Sequence, residues 1–260
     1  MIKKEKIKKS YTLLQITDLH LQASPKSQMR GLLTQSTFEA VLDHAKLNLH
    51  WPPDGILVTG DIVQDGSRAG YDRFKKTFHA YDIPILCIPG NHDDPIIMRE
   101  LLDEPPFQFC GKVKFGKWQI LLLSTFQDGK HAGAIDRVSL EALKKSLENP
   151  ANEHVVICMH HQPLQMGSAW LDCIGLENSE QFTEIINKHE SVRAVLWGHV
   201  HQASEQRING VRWLSTPSTC SQFLPNSESF ALDNQPPGMR WIKLGEMGQI
   251  KTYVEWITYF

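Results

Sequence analysis

The stretch IPILCIPGNHDD, residues 83–94, joins a short apolar run to a turn that carries potential metal ligands. The apolar part, residues 83–88, predicts a buried strand. The turn that ends it contains, in order, Pro89, Gly90, Asn91, His92 and Asp93. Because ligands of open α/β sheets bind beyond the carboxyl ends of strands, the stretch predicts an α/β sheet with a functional site at this edge.

Four other apolar segments, at residues 12–17, 55–59, 154–159 and 193–197, are predicted as strands and end in residues of the same types. Their terminal turns read Asp18-Leu19-His20, Gly60-Asp61, His160-His161 and Gly198-His199-Val200-His201. Each motif alone is weak evidence, since a lone histidine or aspartate at a strand end is usually structural. Five such ends in one chain predict a single convergent site.

The residue types in these turns predict a metal centre. Aspartate and asparagine offer oxygen ligands, histidine offers nitrogen, and no cysteine is present in the set. This combination suits iron, manganese, zinc or cobalt and disfavours a thiolate site. Ligands two residues apart point to one side of an extended chain. Glycines 60, 90 and 198 are expected to allow the tight turns that aim the ligands inward.

The remaining chain alternates predicted helices and hairpins. Helices are predicted at 34–50, with Thr34 or Ser36 as the cap, and at 69–81, 138–147 and 179–189. Hairpins are predicted at 112–115 with 118–124 and, around Asn209-Gly210, at 204–208 with 211–215. Residues 222–238 contain three prolines and are interpreted as a loop or cap, and a C-terminal strand pair is predicted within 239–260. The pattern indicates mixed sheets flanked by helices in a single α/β domain, residues 1–260.

The composition of the chain limits the classes of partner that it is expected to bind. A net charge of −2 and a pI of about 6.6 argue against bulk binding to nucleic acid. The apolar runs are too short to cross a bilayer, so no membrane partner is expected. Residues 1–10 are basic and are interpreted as a solvated tail. Five widely spaced cysteines without a CxxC pair fit reduced thiols, which predicts a cytoplasmic location.

The ordered motifs DxH, GD, GNHD, H and GHxH resemble those of the calcineurin-like metallophosphoesterases. Within that superfamily the chain looks most like the bacterial class III cyclic-AMP phosphodiesterases. The resemblance rests on LQITDLH, VTGDIVQDGS, PGNHDD, MHHQPLQMGSAWLD, GHVHQ and STPSTCSQFLPNSESFALD, which lie between residues 14 and 233. It implies a four-layer αββα sandwich of two mixed sheets flanked by helices.

The resemblance also implies a role for each ligand. Two divalent ions are expected, with iron or manganese favoured over zinc and cobalt. One ion would be held by Asp18, His20, Asp61 and His201, and the other by Asn91, His160 and His199, with Asp61 bridging both. Two such ions lower the pKa of a shared water, so a bridging hydroxide is expected to attack phosphorus.

His92 is expected to face the substrate and protonate the leaving oxygen, with simple phosphate binding or turn packing as the alternative. Many superfamily members carry an aspartate three residues after the GD aspartate, which orients this histidine. This chain has Gln64 there, and Asp65 one place later is expected to substitute. Asp93 is a second candidate for orienting His92 or a ligand, with a surface turn residue as the alternative.

Further residues are expected around the substrate. The expected substrate contacts are His20, Asp61, Asn91, His92, His201 and Trp170, of which Trp170 would stack on a purine or pack in the core or a lid. His161 is expected to pack behind the ligands. Ser124 replaces an aspartate common in relatives, with little effect expected on chemistry.

Hydrolysis of 3′,5′-cyclic AMP to 5′-AMP is the activity that the resemblance implies, with a cyclic nucleotide as the small-molecule partner. The first alternative is a phosphoesterase of the same fold acting on glycerophosphodiesters, 2′,3′-cyclic nucleotides or a lipid-linked diphosphate. The second is a non-catalytic interaction domain, which all seven intact ligand positions disfavour. The sequence allows either a monomer or a homodimer.

Overall fold

The computed structural model describes residues 10–148 and 154–258. The lysines of the basic tail and the last two residues lie outside these ranges. The described helices are α1 Thr34–Leu47, α2 Arg68–Phe78, α3 Pro95–Leu102, α4 Arg137–Leu147, α5 Ala169–Asp172 and α6 Ser179–Ile186. In this part of the chain, no helix is long and apolar enough to span a bilayer.

The described strands form two large sheets and two short ribbons. They are β1 Ser10–Ile16, β2 Gln28–Met29, β3 Leu32–Leu33, β4 Gly55–Val58, β5 Ile85–Cys87, β6 Phe107–Phe109, β7 Gly111–Phe115, β8 Trp118–Leu122, β9 His154–Cys158, β10 Val192–Trp197, β11 Ser204–Ile208, β12 Val211–Ser215, β13 Gln222–Phe223, β14 Leu232–Asp233, β15 Gly238–Gly245 and β16 Ile250–Trp256.

Both large sheets are mixed. The first has the order β16-β15-β1-β4-β5-β6, in which β1, β4, β5 and β6 are parallel and β15 is antiparallel to both neighbours. The second has the order β11-β12-β10-β9-β8-β7, with a parallel centre and antiparallel edges. The central strands are almost entirely apolar, as strands covered on both faces must be.

Three apolar clusters separate four layers. One lies between the sheets and includes Leu57, Leu86, Val156 and Leu196. A second packs α1, α2 and α3 on the first sheet, and a third packs α4 and α6 on the second. The expected αββα sandwich of two mixed sheets is therefore confirmed. The predicted hairpins and the C-terminal strand pair are also present.

The ends of elements differ most from prediction. Helix α1 ends at Leu47 rather than at residue 50, because Asn48 is extended and its side chain accepts a hydrogen bond from the amide of His50. No side chain caps its N-terminus, so the predicted cap at Thr34 or Ser36 is wrong. Helix α3 was not predicted, although Asp94 caps it and Pro95 begins it. The stretch 222–238 contains the ribbon β13–β14.

Candidate metal centre

The predicted ligands lie on five loops that follow the C-terminal ends of strands in both sheets. The loops after β1, β4 and β5 belong to the first sheet, and those after β9 and β10 to the second. Backbone hydrogen bonds join neighbouring loops, such as His20 N–H to Asp61 O at 2.9 Å. The sheets are joined by the His199 amide, which donates to Asp18 Oδ2 at 3.0 Å. One edge of the sandwich thus brings all five loops together.

Five of the seven predicted ligands have a left-handed backbone. Their φ angles are 52° for Asp18, 48° for His20, 49° for Asp61, 65° for His199 and 47° for His201. Each such non-glycine residue costs on the order of 1–3 kcal/mol, and these conformations cluster at functional sites. The concentration of this strain in the ligand loops marks the edge as a site for chemistry.

The three loop glycines act in two different ways. Gly60 has a φ of 97°, as a tight turn requires. Gly90 and Gly198 do not have positive φ, so the turn explanation is wrong for them. A Cβ at Gly90 would lie 2.1 Å from Asp61 Oδ1, and one at Gly198 would lie 2.1 Å from Thr17 Oγ1. Glycine is needed at these two positions because the loops approach too closely for any side chain.

Asp18, His20 and His201 form one buried group of potential ligands. Their ligand atoms all lie within 4.8 Å of one another. His201 Nε2 is 3.3 Å from Asp18 Oδ1 and 3.1 Å from His20 Nε2. An oxygen and two imidazole nitrogens therefore point at a common position.

A second group surrounds His160. Its Nε2 lies 3.3 Å from Asn91 Oδ1 and 3.4 Å from Asp61 Oδ2. The ring of His199 is 5.0 Å from that of His160, centroid to centroid. Asp61 Oδ2 is also 3.8 Å from His20 Nε2, so Asp61 lies between the two groups. The two groups share this carboxylate, which suits a pair of cations.

Backbone carbonyls fix the tautomers of two ligands. His160 Nδ1 donates to Thr59 O at 2.7 Å, and His201 Nδ1 donates to Ser221 O at 2.6 Å. Each contact directs Nε2 toward the site, an arrangement typical of metal-bound histidine. Among the described residues, the buried His20 Nδ1 and His199 Nε2 have no hydrogen-bond partner. The imidazole nitrogens and carboxylate oxygens that face one another in the two groups fit divalent metal ions.

The ionisation states of the buried side chains also fit a site for cations. Burial alone would raise the pKa of Asp18, but His201 lowers it below its usual value. Asp61 behaves likewise, with His160 lowering its pKa well below the usual range. Burial lowers the pKa of His20 to about 4. Two buried carboxylates and a neutral imidazole are what a cation site requires.

His92 lies beside both groups and is half-buried. Its backbone amide donates to Asp61 Oδ1 at 2.9 Å, and Gln64 Nε2 donates to its Nδ1 at 3.0 Å. Because Nδ1 accepts, the proton of neutral His92 lies on Nε2. The prediction that Asp65 takes this role is wrong. Asp65 accepts from the amides of Ala23 and Ser67, at 2.9 Å and 3.2 Å, and the structure does not bring it to His92.

His161 packs behind the ligands with both ring nitrogens occupied. Thr125 Oγ1 lies 2.7 Å from Nδ1, and the carbonyl oxygen of His131 lies 3.0 Å from Nε2. Burial lowers the pKa of His161 to about 3, with the neighbouring His160 adding to the effect. His161 therefore supports the loop that carries His131. Ser124, at the same strand end as Thr125, accepts a hydrogen bond from the amide of Phe126.

Asp93 is neither a surface residue nor a partner of His92. It is buried and accepts four hydrogen bonds, from the amides of Ile62, Val63 and Gly90 and from the Tyr71 hydroxyl. The GNHD loop is thereby fixed to the GD loop. Asp93 positions two ligand loops through the backbone.

A cavity of about 280 Å³ opens over the metal centre. Five of the seven predicted ligands line it, together with His92 and Trp170. The sequence motifs assign no site role to the other five lining residues, which are Arg30, His131, Ile174, Phe223 and Phe230. Phe223 and Phe230 belong to the stretch 222–238, which forms part of the cavity wall. Larger cavities of about 420 and 490 Å³ contain none of the predicted ligands.

Comparison with known proteins gives one consistent result. The calcineurin-like phosphoesterase family matches residues 11–203. A 3′,5′-cyclic adenosine monophosphate phosphodiesterase CpdA of Haemophilus influenzae is 38% identical over 94% of this chain and 89% of its own. The protein of that name from Escherichia coli K12 is 36% identical over 93% and 88%. A dimetal phosphatase of Danio rerio shares the fold, with a TM-score of 0.64, 15% identity and coverage of 95% and 99%.

Proposed function

The chain belongs to the calcineurin-like phosphoesterase family, and we propose that it hydrolyses 3′,5′-cyclic AMP to 5′-AMP with divalent metal ions. One observation carries the proposal. Five metal-donor residues and His92 line a single cavity, in a chain whose relatives named for this activity match it over most of their length. The substrate is taken from the names of those relatives.

We assign one ion to Asp18, His20, Asp61 and His201, and the other to Asn91, His160 and His199, with Asp61 shared. The position of Asp61 between the two groups supports this assignment. Bound ions would neutralise phosphate charge and lower the pKa of a coordinated water. Oxygen and imidazole donors suit iron, manganese, zinc and cobalt alike. Iron or manganese is proposed because the resemblance to the cyclic-AMP phosphodiesterases implies it.

His92 is assigned as the general acid. Hydrolysis forms a bond from a water oxygen to phosphorus and breaks the bond from phosphorus to the 3′ oxygen of the ribose. That oxygen needs a proton, which His92 would give from Nε2 as the imidazolium. The Gln64 side-chain amide lies 3.0 Å from Nδ1, and in that form of His92 its Oε1 would accept the Nδ1 proton. The bond from the His92 amide to Asp61 fixes its distance from the metal donors.

The test compares turnover across substrates. The chain is purified with manganese or iron, and kcat/KM is measured for cyclic AMP, a 2′,3′-cyclic nucleotide, a glycerophosphodiester and a lipid-linked diphosphate. The proposal expects cyclic AMP to have the highest kcat/KM. Turnover no faster than that of Asp61→Ala would refute it, and preference for another ester would favour the alternative substrate class.

The partner, the location and the oligomeric state are also proposed. A small-molecule cyclic nucleotide is the proposed partner. Five cysteines that are free in the structure fit the reducing cytoplasm, which is the proposed location. A monomer or homodimer is proposed. A protein that binds no metal and keeps its stability after chelation would instead be a non-catalytic interaction domain.

A further inference from the structure

Trp170, Phe223 and Phe230 form an aromatic wall beside the metal centre. The ring centroid of Trp170 lies 5.3 Å from that of Phe223 and 5.2 Å from that of Phe230. The ring centroids of the two phenylalanines lie 5.4 Å apart. The interplanar angles are 70°, 78° and 76°, so the three rings are nearly perpendicular to one another. Together they make a corner that lines the cavity over the metals.

The aromatic wall is fixed directly to the metal centre. The rings of Phe223 and His201 stack in parallel, with centroids 4.0 Å apart and an angle of 7°. The amide of Phe223 also donates to the carbonyl oxygen of His201 at 3.2 Å. The wall therefore has a defined distance from a metal donor, as a subsite for one part of a substrate requires.

Neighbours already occupy one face of two of the rings. His201 covers a face of Phe223, and the Arg30 guanidinium lies over Phe230, with Cζ 4.0 Å from the centroid. Trp170 has no such stacked neighbour among the described residues. Its buried indole N–H also has no hydrogen-bond partner there. Trp197 and Trp213 share that property, but they are core residues and do not line the cavity.

We propose that the aromatic wall is the subsite for the nucleobase, an inference that rests on the proposed function. The base stacks on Trp170, meets the edges of the phenylalanines and leaves its phosphate at the metal centre. Base stacking on aromatic side chains tolerates different bases, so the wall selects nucleotides over phosphodiesters that lack a planar ring.

The experiment compares cyclic AMP with the 3′,5′-cyclic phosphate of methyl ribofuranoside, which lacks the base. Steady-state kinetics of the wild type are compared with those of Trp170→Leu, Phe230→Leu and Trp170→Phe. Leu224→Ala is the matched control, because Leu224 is exposed in the same stretch but does not line the cavity. Binding of adenosine, which has no phosphate, is measured by calorimetry. Metal content and thermal melting establish that each variant is folded and loaded.

Trp170→Leu and Phe230→Leu should raise KM for cyclic AMP about 5- to 100-fold, with kcat changed less than about 3-fold. In both leucine variants, the kinetics for the base-free substrate should be unchanged. Adenosine binding should be lost in Trp170→Leu and mostly retained in Trp170→Phe. Equal losses for both substrates, or an unchanged KM for cyclic AMP, would overturn the inference. If the wild type hydrolyses no cyclic AMP, the proposed function fails. Adenosine binding that depends on Trp170 would still support the base subsite, and no adenosine binding would refute it.

Discussion

The Nε2 atoms of His20 and His201 lie 3.1 Å apart in the interior of the protein. The Nδ1–H of His201 donates to Ser221, so Nε2 of neutral His201 carries a lone pair. Two imidazole nitrogens at this distance need a proton or a cation between them. Metal binding should therefore compete with proton binding, and the pKa shifts indicate which ligand holds the proton.

Metal uptake should release a proton from His160 at neutral pH. Burial alone would lower the pKa of His160, but the charge of Asp61 and its hydrogen bond raise it to about 9. A group with a raised pKa keeps its proton at pH 7, and metal must displace it. His20, with a pKa of about 4, is already neutral and releases none.

Calorimetric titration of the metal-free protein with manganese, in buffers of different ionisation enthalpy, measures this release. Affinity should rise about tenfold per pH unit and level off as the pH approaches about 9, with about one proton released per chain at pH 7. His160→Ala provides the matched variant without that proton. Affinity that is independent of pH between 7 and 8.5 would contradict the assignment.

Gln64, and not Asp65, should control the acid function of His92. Gln64→Ala removes the side chain that contacts Nδ1 and holds the ring in place, and it should lower kcat about tenfold. The loss expected for His92→Ala is larger, roughly 100-fold or more. Asp65→Ala is the control, because within the described residues the Asp65 carboxylate accepts from the amides of Ala23 and Ser67 and from the Ser67 hydroxyl. The pH profile of kcat is the measurement. A loss in Asp65→Ala with none in Gln64→Ala would reverse the conclusion.

Gly90→Ala should destroy the metal centre. The added Cβ would lie 2.1 Å from Asp61 Oδ1, so the shared carboxylate must move. Bound metal should fall below one ion per chain, and turnover should fall by about 100-fold or more, since positioning errors of this size are costly. Gly129→Ala is the control. It adds a Cβ in open space, so it should strain only its own backbone and retain both metals.

Asp93→Ala should destabilise the fold. The substitution leaves three buried amides and the Tyr71 hydroxyl without their acceptor. The free energy of unfolding should fall by about 3 kcal/mol or more, measured by urea denaturation. Asp128→Ala, at an exposed position, should change it by less than about 0.5 kcal/mol. Similar stability of the two variants would show that Asp93 does not hold the loops together.

The sequence predicted the fold class and the convergence of five ligand loops because both depend on local patterns. Each ligand follows its strand within a few residues, so strand prediction also places the site. Phe223, Phe230 and Arg30 were not identified, because only tertiary packing brings them over the metals. The choice between Gln64 and Asp65 depends on the direction of one side chain, which periodicity does not determine. Helix α1 ends early for a similar reason, since the hydrogen bond from the His50 amide to Asn48 Oδ1 is a local detail.

The most direct test of the account is the metal content and the cyclic-AMP turnover of one purified sample, measured beside Asp61→Ala. Asp61 lies between the two ligand groups, so its loss should affect both sites. The account predicts about two divalent ions per chain and rapid hydrolysis in the wild type. It predicts loss of at least one ion and of turnover in the variant. Wild-type protein that binds no metal, or that hydrolyses cyclic AMP no faster than Asp61→Ala, would contradict it.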